Sequence, residues 1–187
     1  MSRVLVPLAE GFEEIEAVTV VDLLRRAGIE VCTAALGHRE VTGSHGITVV
    51  ADIGLDAVVA ADYDMIVLPG GMPGAEHLKS DLRVIGLLRE FAATGRYTAA
   101  ICAAPSVLAH AGLLRDRAAT SYPGFLAPGS APGIRLRDDP VVIDGKVATS
   151  RGPGTAVPFG LALIELLEGP EARRAVQERL QLPTPAA

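Results

Sequence analysis

The sequence has no tryptophan, two cysteines and four histidines, and aromatic residues make up 4% of its 187 positions. Two cysteines, Cys32 and Cys102, cannot build a disulfide framework, and no Cys-His spacing marks a zinc-type cluster, so no metal is expected. No apolar run approaches the roughly 20 residues a membrane span needs. The opening MSRVLVPLAEGFEE is cut by Pro7 and then by acidic residues, unlike the basic start and long apolar stretch of an export signal. The reducing cytoplasm is therefore the expected compartment. A formal net charge of −5 without a basic cluster leaves little to neutralise a phosphate backbone or an anionic lipid surface. Neither nucleic acid nor membrane is an expected partner.

What the chain does have is an ordinary globular composition, 49% hydrophobic and 21% charged, enough for one α/β domain spanning residues 1–187. Short β-rich runs (Val4 to Pro7, Val31 to Leu36, Met65 to Pro69, Thr98 to Cys102) alternate with helical stretches, and several end at Gly or Pro, the pattern of βαβ units. This predicts a mostly parallel sheet covered on both faces. Helices are predicted over about Phe12 to Ala27, Leu82 to Thr94, Pro105 to Ala111, Gly154 to Glu168 and Pro170 to Leu180, with Gly28 as a C-cap. VVIDGKVATS, Val141 to Ser150, reads as a β-hairpin turning at Asp144-Gly145. Residues Tyr122 to Pro140, with four prolines and three glycines, read as an irregular surface loop, and the tail from residue 182 to 187 is expected to fray.

Open parallel sheets bind ligands at the carboxyl ends of their strands, which directs attention to three turns. In TAAICAAPSVLAHAG a strand runs straight into a helix with Cys102 at the junction and Pro105 in the first turn. A thiol there faces unsatisfied N–H groups and the positive end of the helix dipole, which favour thiolate. A lone cysteine is more often a small buried hydrophobe, so this segment alone leaves both readings open; Cys32, inside an apolar strand, keeps the bland one. Gly70-Gly71 after Leu68-Pro69 lets backbone approach closely, so that the N–H groups of Gly71 and Ala103 could donate to a developing oxyanion, although a glycine pair alone more often serves a turn. The row Phe12, Glu16, Val20, Leu23 puts one carboxyl on an otherwise apolar helical stripe. If Glu16 meets Cys102, burial raises the carboxyl and the two groups share a proton, as thiolate plus neutral acid. Glu13 and Glu14, in the first turn near solvent, read as structural, favouring the helix dipole. His38, His45, His77 and His110 fall outside any Cys-His motif and read as loop or surface residues, which argues against proteolysis.

GFEEIEA, IVLPGG, AAICAAP and TSRGPGT occur in this order across about Arg3 to Leu180, and together they resemble the ThiJ/PfpI superfamily, most closely its parkinsonism-associated deglycase branch. The resemblance implies a flavodoxin-like three-layer sandwich working as a homodimer. It also makes Cys102 the oxidisable nucleophile, Glu16 its protonated partner, and Gly71 and Ala103 the oxyanion donors, with Arg26 and Arg151 near the pocket or dimer contacts. Tyr122 stands where some relatives carry a histidine, Ala103 replaces the histidine of the protease-like branch, and Val50 fills the place of a second sensor cysteine.

The leading expectation is a cofactor-free thiol enzyme acting on methylglyoxal, glyoxal or their early glycated adducts. The rival is a redox sensor or stress chaperone in which Cys102 is oxidised to a sulfinate held by Glu16. A third possibility is drift to another small electrophile, since the loop from Tyr122 shapes the pocket.

Overall fold

A computed structural model describes residues 1–182 of the chain; most of the tail expected to fray, residues 183–187, lies outside the described residues. Strands β1 (Arg3–Leu8), β2 (Glu30–Ala35), β5 (Ile53–Gly54), β6 (Met65–Leu68), β7 (Tyr97–Ile101), β10 (Val141–Asp144) and β11 (Val147–Ser150) form one sheet in the order β10-β11-β7-β6-β1-β2-β5. Every pairing is parallel except β10 with β11. That exception is the predicted hairpin, with Gly145 at φ 62° in its turn.

The layers follow from the period-2 alternation of the central strands. In β1, Val4 and Val6 join a core with Leu23 and Leu24 of α1 (Glu14–Arg26) and Phe159 and Ile164 of α5 (Ala156–Arg179). Leu5 faces the other way, into a core with Leu88 and Phe91 of α3 (Leu82–Ala93) and Leu108 of α4 (Pro105–His110). The result is the expected three-layer sandwich. Gly169 has φ 86° and breaks α5, in agreement with the two separate helices predicted there.

Other segments depart from the sequence reading. The hairpin β3 (Glu40–Thr42) and β4 (Thr48–Val50) and the helix α2 (Gly74–Ser80) are additional elements. Within the stretch read as irregular, Arg135–Leu136 (β9) pairs with Ala118–Ala119 (β8). Helix α1 begins at Glu14, not Phe12, because the preceding residues form a tight turn: Gly11 has φ 82°, and the Phe12 N–H bonds back to the Ala9 carbonyl at 3.1 Å. At the other end Gly28 has φ 78° and the Ile29 N–H reaches the Leu24 carbonyl at 3.1 Å, as a glycine C-cap requires.

Candidate active site

Cys102 is the residue just past β7, and its φ of 65° is a strained value for a side chain larger than glycine. Two hydrogen bonds enforce it: the Cys102 N–H donates to the Ser150 carbonyl at 3.0 Å, and its carbonyl accepts from the Tyr122 N–H at 2.8 Å. The strand read as ending at Cys102 thus ends at Ile101, and the cysteine occupies the turn. Pro105 then starts α4 at its first position. The TSRGPGT segment is the bracket behind this turn. Thr149 Oγ1 accepts the Thr120 N–H at 3.0 Å, and Ser150 Oγ donates to the Pro140 carbonyl at 2.7 Å.

Glu16 has no solvent exposure and lies on the core stripe of α1 as predicted. Its Oε2 accepts the Gly70 N–H at 2.8 Å, and its Oε1 is buried without a hydrogen-bond partner among the described residues. Gly70 is the wedge between acid and thiol: a Cβ there would sit 2.7 Å from Cys102 Cβ and 2.8 Å from Glu16 Oε2. Gly71, at φ 85°, must also lack a side chain, because its Cβ would lie 2.3 Å from the Glu13 nitrogen. Its N–H and that of Ala103 act to lower the Cys102 thiol.

The electrostatics of the pair are dominated by burial. Desolvation pushes the Glu16 carboxyl up to about 7, with the charge of Glu13 adding to the rise and the Gly70 N–H and Cys102 opposing it. Burial is also the first cause at Cys102, where together with the Glu16 charge it pushes the thiol up to about 12. The donors expected to lower the thiol are in place, but desolvation and the neighbouring carboxylate outweigh them while the carboxylate is ionised. Once the proton moves to the carboxyl, the opposing charge is gone and the two N–H groups act on sulfur alone. The carboxyl therefore gives up its proton before the thiol does, the reverse of the expected resting order, and thiolate plus neutral acid forms when the proton left on sulfur passes to Glu16.

A cavity of about 250 Å³ opens on Cys102, walled by Gly71, Ala103, Tyr122, Phe125 and, unforeseen from sequence, Glu13, Met72 and Pro153. Tyr122 and Phe125 meet edge to face at 6.2 Å between ring centres. Arg26 instead pairs with Asp22 on exposed α1 surface, and Arg151 with Asp138; neither lines this cavity. Cys32 stays in β2, half-buried.

Glu14 corrects the expectation of a solvated first turn, being 5% exposed. Its Oε1 accepts the N–H groups of His45 at 2.8 Å and Ile47 at 3.3 Å, fixing the β3–β4 turn against α1. Burial alone would raise this carboxyl, but the backbone donors and the His45 ring hold it down at about 2. His45, read as a plain loop residue, brings Nδ1 to 3.1 Å from Glu14 Oε2 and 3.5 Å from Glu13 Oε1.

A family model described as the DJ-1/PfpI family matches residues 2–166. The chain belongs to the DJ-1/PfpI family. Among its relatives, DJ-1 homolog A of Arabidopsis thaliana is 41% identical over 96% of this chain, which spans about half (46%) of that protein's length. A protein of Caenorhabditis elegans named a glutathione-independent glyoxalase is 37% identical over 92% of each chain, and a Pyrococcus abyssi protein named a deglycase is 33% identical over 89% of this chain and 99% of its own. The solved structure of oxidized Toxoplasma gondii DJ-1 superposes with a TM-score of 0.91 at 39% identity, covering 98% of this chain and 100% of that one. These DJ-1 matches agree with the sequence resemblance. Among the described residues no helix is long and apolar enough to cross a membrane.

Proposed function

We propose that this DJ-1/PfpI protein is a cofactor-independent, cysteine-dependent enzyme of glyoxalase or deglycase type, acting on methylglyoxal, glyoxal or their early adducts. One observation carries the reading: a thiol on a strained turn opens, with Gly71 and Ala103, on one small cavity, and a fully buried carboxyl stands behind it across Gly70. The names of the nematode and archaeal relatives support the same chemistry.

In this mechanism the Cys102 sulfur attacks the aldehyde carbon, and the carbonyl electron pair moves to oxygen. The oxyanion lies against the N–H groups of Gly71 and Ala103 and takes the proton held by Glu16. The Glu16 carboxylate then removes the hydrogen on the former aldehyde carbon as a proton, leaving an enediolate, and returns a proton to the neighbouring carbon while the hemithioacetal hydroxyl proton passes to the former ketone oxygen. One carbon rises to the oxidation level of a thioester while the other falls from ketone to alcohol, so no external oxidant is consumed. Water cleaves the thioester, and from methylglyoxal the products are lactate and free thiol.

Where the proton on Glu16 exchanges before it is returned, lactate made from methylglyoxal in D2O without glutathione is expected to carry deuterium on C2, read by proton NMR. Lactate without deuterium there, together with undiminished turnover in Glu16→Gln, would overturn the Glu16 shuttle, and absence of lactate would overturn the enzyme.

A second reading is favoured by the buried Glu16 Oε1, which lacks a geometric hydrogen-bond partner among the described residues. Protonated, that oxygen would donate a short hydrogen bond to a Cys102 sulfinate, making the same pair a redox sensor in a stress-response or chaperone role.

The site is proposed to work in a homodimer. Ile15 and Val18 on α1 and Ile47 and Val50 around the β3–β4 hairpin are each at least half exposed, and Val18, Val21, Val49 and Val50 line one groove between these elements. A contiguous apolar face of this kind is costly in water and fits a second copy of the same face. Light scattering is expected to return twice the chain mass of 19.4 kDa; a monomer's mass at micromolar concentration would remove this part of the reading.

A further inference from the structure

We propose that Glu13 determines which electrophiles reach Cys102, admitting neutral and cationic ones and turning anionic ones away. The proposal borrows from the thiol-enzyme reading only that an electrophile enters this cavity. Glu13 stands on a wall whose other side chains are Met72, Tyr122, Phe125 and Pro153, so among the described lining residues it brings a carboxylate and nothing brings a cation. The arginines that could have offset it are engaged elsewhere, Arg26 with Asp22 and Arg151 with Asp138.

Glu13 is also held in place. Its side chain is 12% exposed, Ser44 Oγ donates to Oε2 at 3.3 Å, and His45 Nδ1 stands 3.5 Å from Oε1. Its field reaches the reacting pair, since its charge is one of the causes that raise the Glu16 carboxyl. A carboxylate ordered at the rim of a small, partly desolvated cavity acts on an incoming charge with little water between them.

The substrate class follows. Methylglyoxal and glyoxal carry no charge and pass freely. Adducts on an arginine side chain that keep the guanidinium charge are attracted. Glyoxylate and phosphorylated aldehydes approach against Glu13 and are poor substrates.

The test uses alkylation of Cys102 by iodoacetamide and iodoacetate, read by peptide mass spectrometry so that Cys32 does not contribute. In both, sulfur displaces iodide from the same kind of carbon, and the reagents differ mainly in charge. Their rate ratio is normalised to that of a small neutral thiol. Wild type is expected to favour iodoacetamide about ten-fold or more after normalisation, the size of effect a nearby unit charge has at a protein surface. Glu13→Gln is expected to lose at least about five-fold of that preference, and Glu13→Lys to reverse it. A wild-type ratio equal to that of the free thiol would overturn the proposal without any variant. So would a wild-type preference retained in Glu13→Gln, which would place the repulsion at Glu16. Alkylation needs no turnover: an inactive wild type with the expected ratios would sink the enzyme reading and leave the filter, and an active one with unchanged ratios would do the reverse.

Discussion

Purified Cys102→Ala protein is expected to make no lactate from methylglyoxal above the solvent background, a loss of at least roughly a thousand-fold, as removal of a covalent nucleophile entails. Its fold is expected to persist. Alanine keeps the Cβ of the cysteine side chain, and the backbone bonds to the Ser150 carbonyl and from the Tyr122 N–H that hold φ at 65° do not involve sulfur. Stability within about 1 kcal/mol of wild type by urea unfolding would establish that the lost activity is chemical. Undiminished lactate would end the mechanism. The same variant tests the redox reading: mild peroxide is expected to add about 32 Da, two oxygens, to wild type and nothing at this position in Cys102→Ala. Oxidation without lactate formation in wild type would favour the sensor over the enzyme.

Much of this site was legible because its elements obey strong local rules. A β-rich run, a reactive residue and a proline in helical first-turn position announce a strand-to-helix turn, and Cys102 is there. Glu16 stood out because a carboxyl on an apolar helical row has few other places to go, and it is fully buried. The β1, β2 and β6 strands followed from apolar runs closed by Gly or Pro, β7 from the run that ends at the strand-to-helix turn, and the β10–β11 hairpin from its Asp-Gly turn.

The missed features depend on contacts between segments distant in sequence. The β3–β4 hairpin carries only three residues per strand, and its turn, closed by the Gly46 N–H to the Gly43 carbonyl at 3.1 Å, is also held from outside by the Glu14 carboxylate. Helix α2 opens at Gly74 and follows Pro73, so its local propensity argues for a turn; its first residues are held by bonds such as Gly74 N–H to the Gly11 carbonyl at 3.2 Å. Glu13 and Glu14 look alike in sequence and part company in space, one toward the cavity and one under the hairpin turn. The signal that bears on both is SHG at residues 44–46, which supplies partners to each carboxylate.

Glu16→Gln is expected to be slower and, above neutral pH, more stable. The carboxamide keeps the size of the side chain and can still accept the Gly70 N–H, but it neither gives nor takes a proton, so turnover is expected to fall about 10²- to 10⁴-fold. Stability moves the other way because the folded carboxyl sits at about 7 against an ordinary value of 4.5. Below 4.5 the group is protonated in both folded and unfolded chains and costs nothing. Between 4.5 and 7 the unfolded chain ionises while the folded one holds its proton, so wild-type stability falls as pH rises, and above 7 the full penalty, roughly 3 kcal/mol, is present. The carboxamide of the variant does not titrate and has no such dependence. The difference in unfolding free energy between variant and wild type, from urea titrations at pH 4, 6 and 8, is therefore expected to grow in the variant's favour with pH. A difference that stays flat would mean that Glu16 is not a desolvated acid in the folded chain. Its place beside Cys102 would then be packing rather than chemistry, whereas a residue that costs the fold stability while it serves turnover is the mark of a site shaped by function.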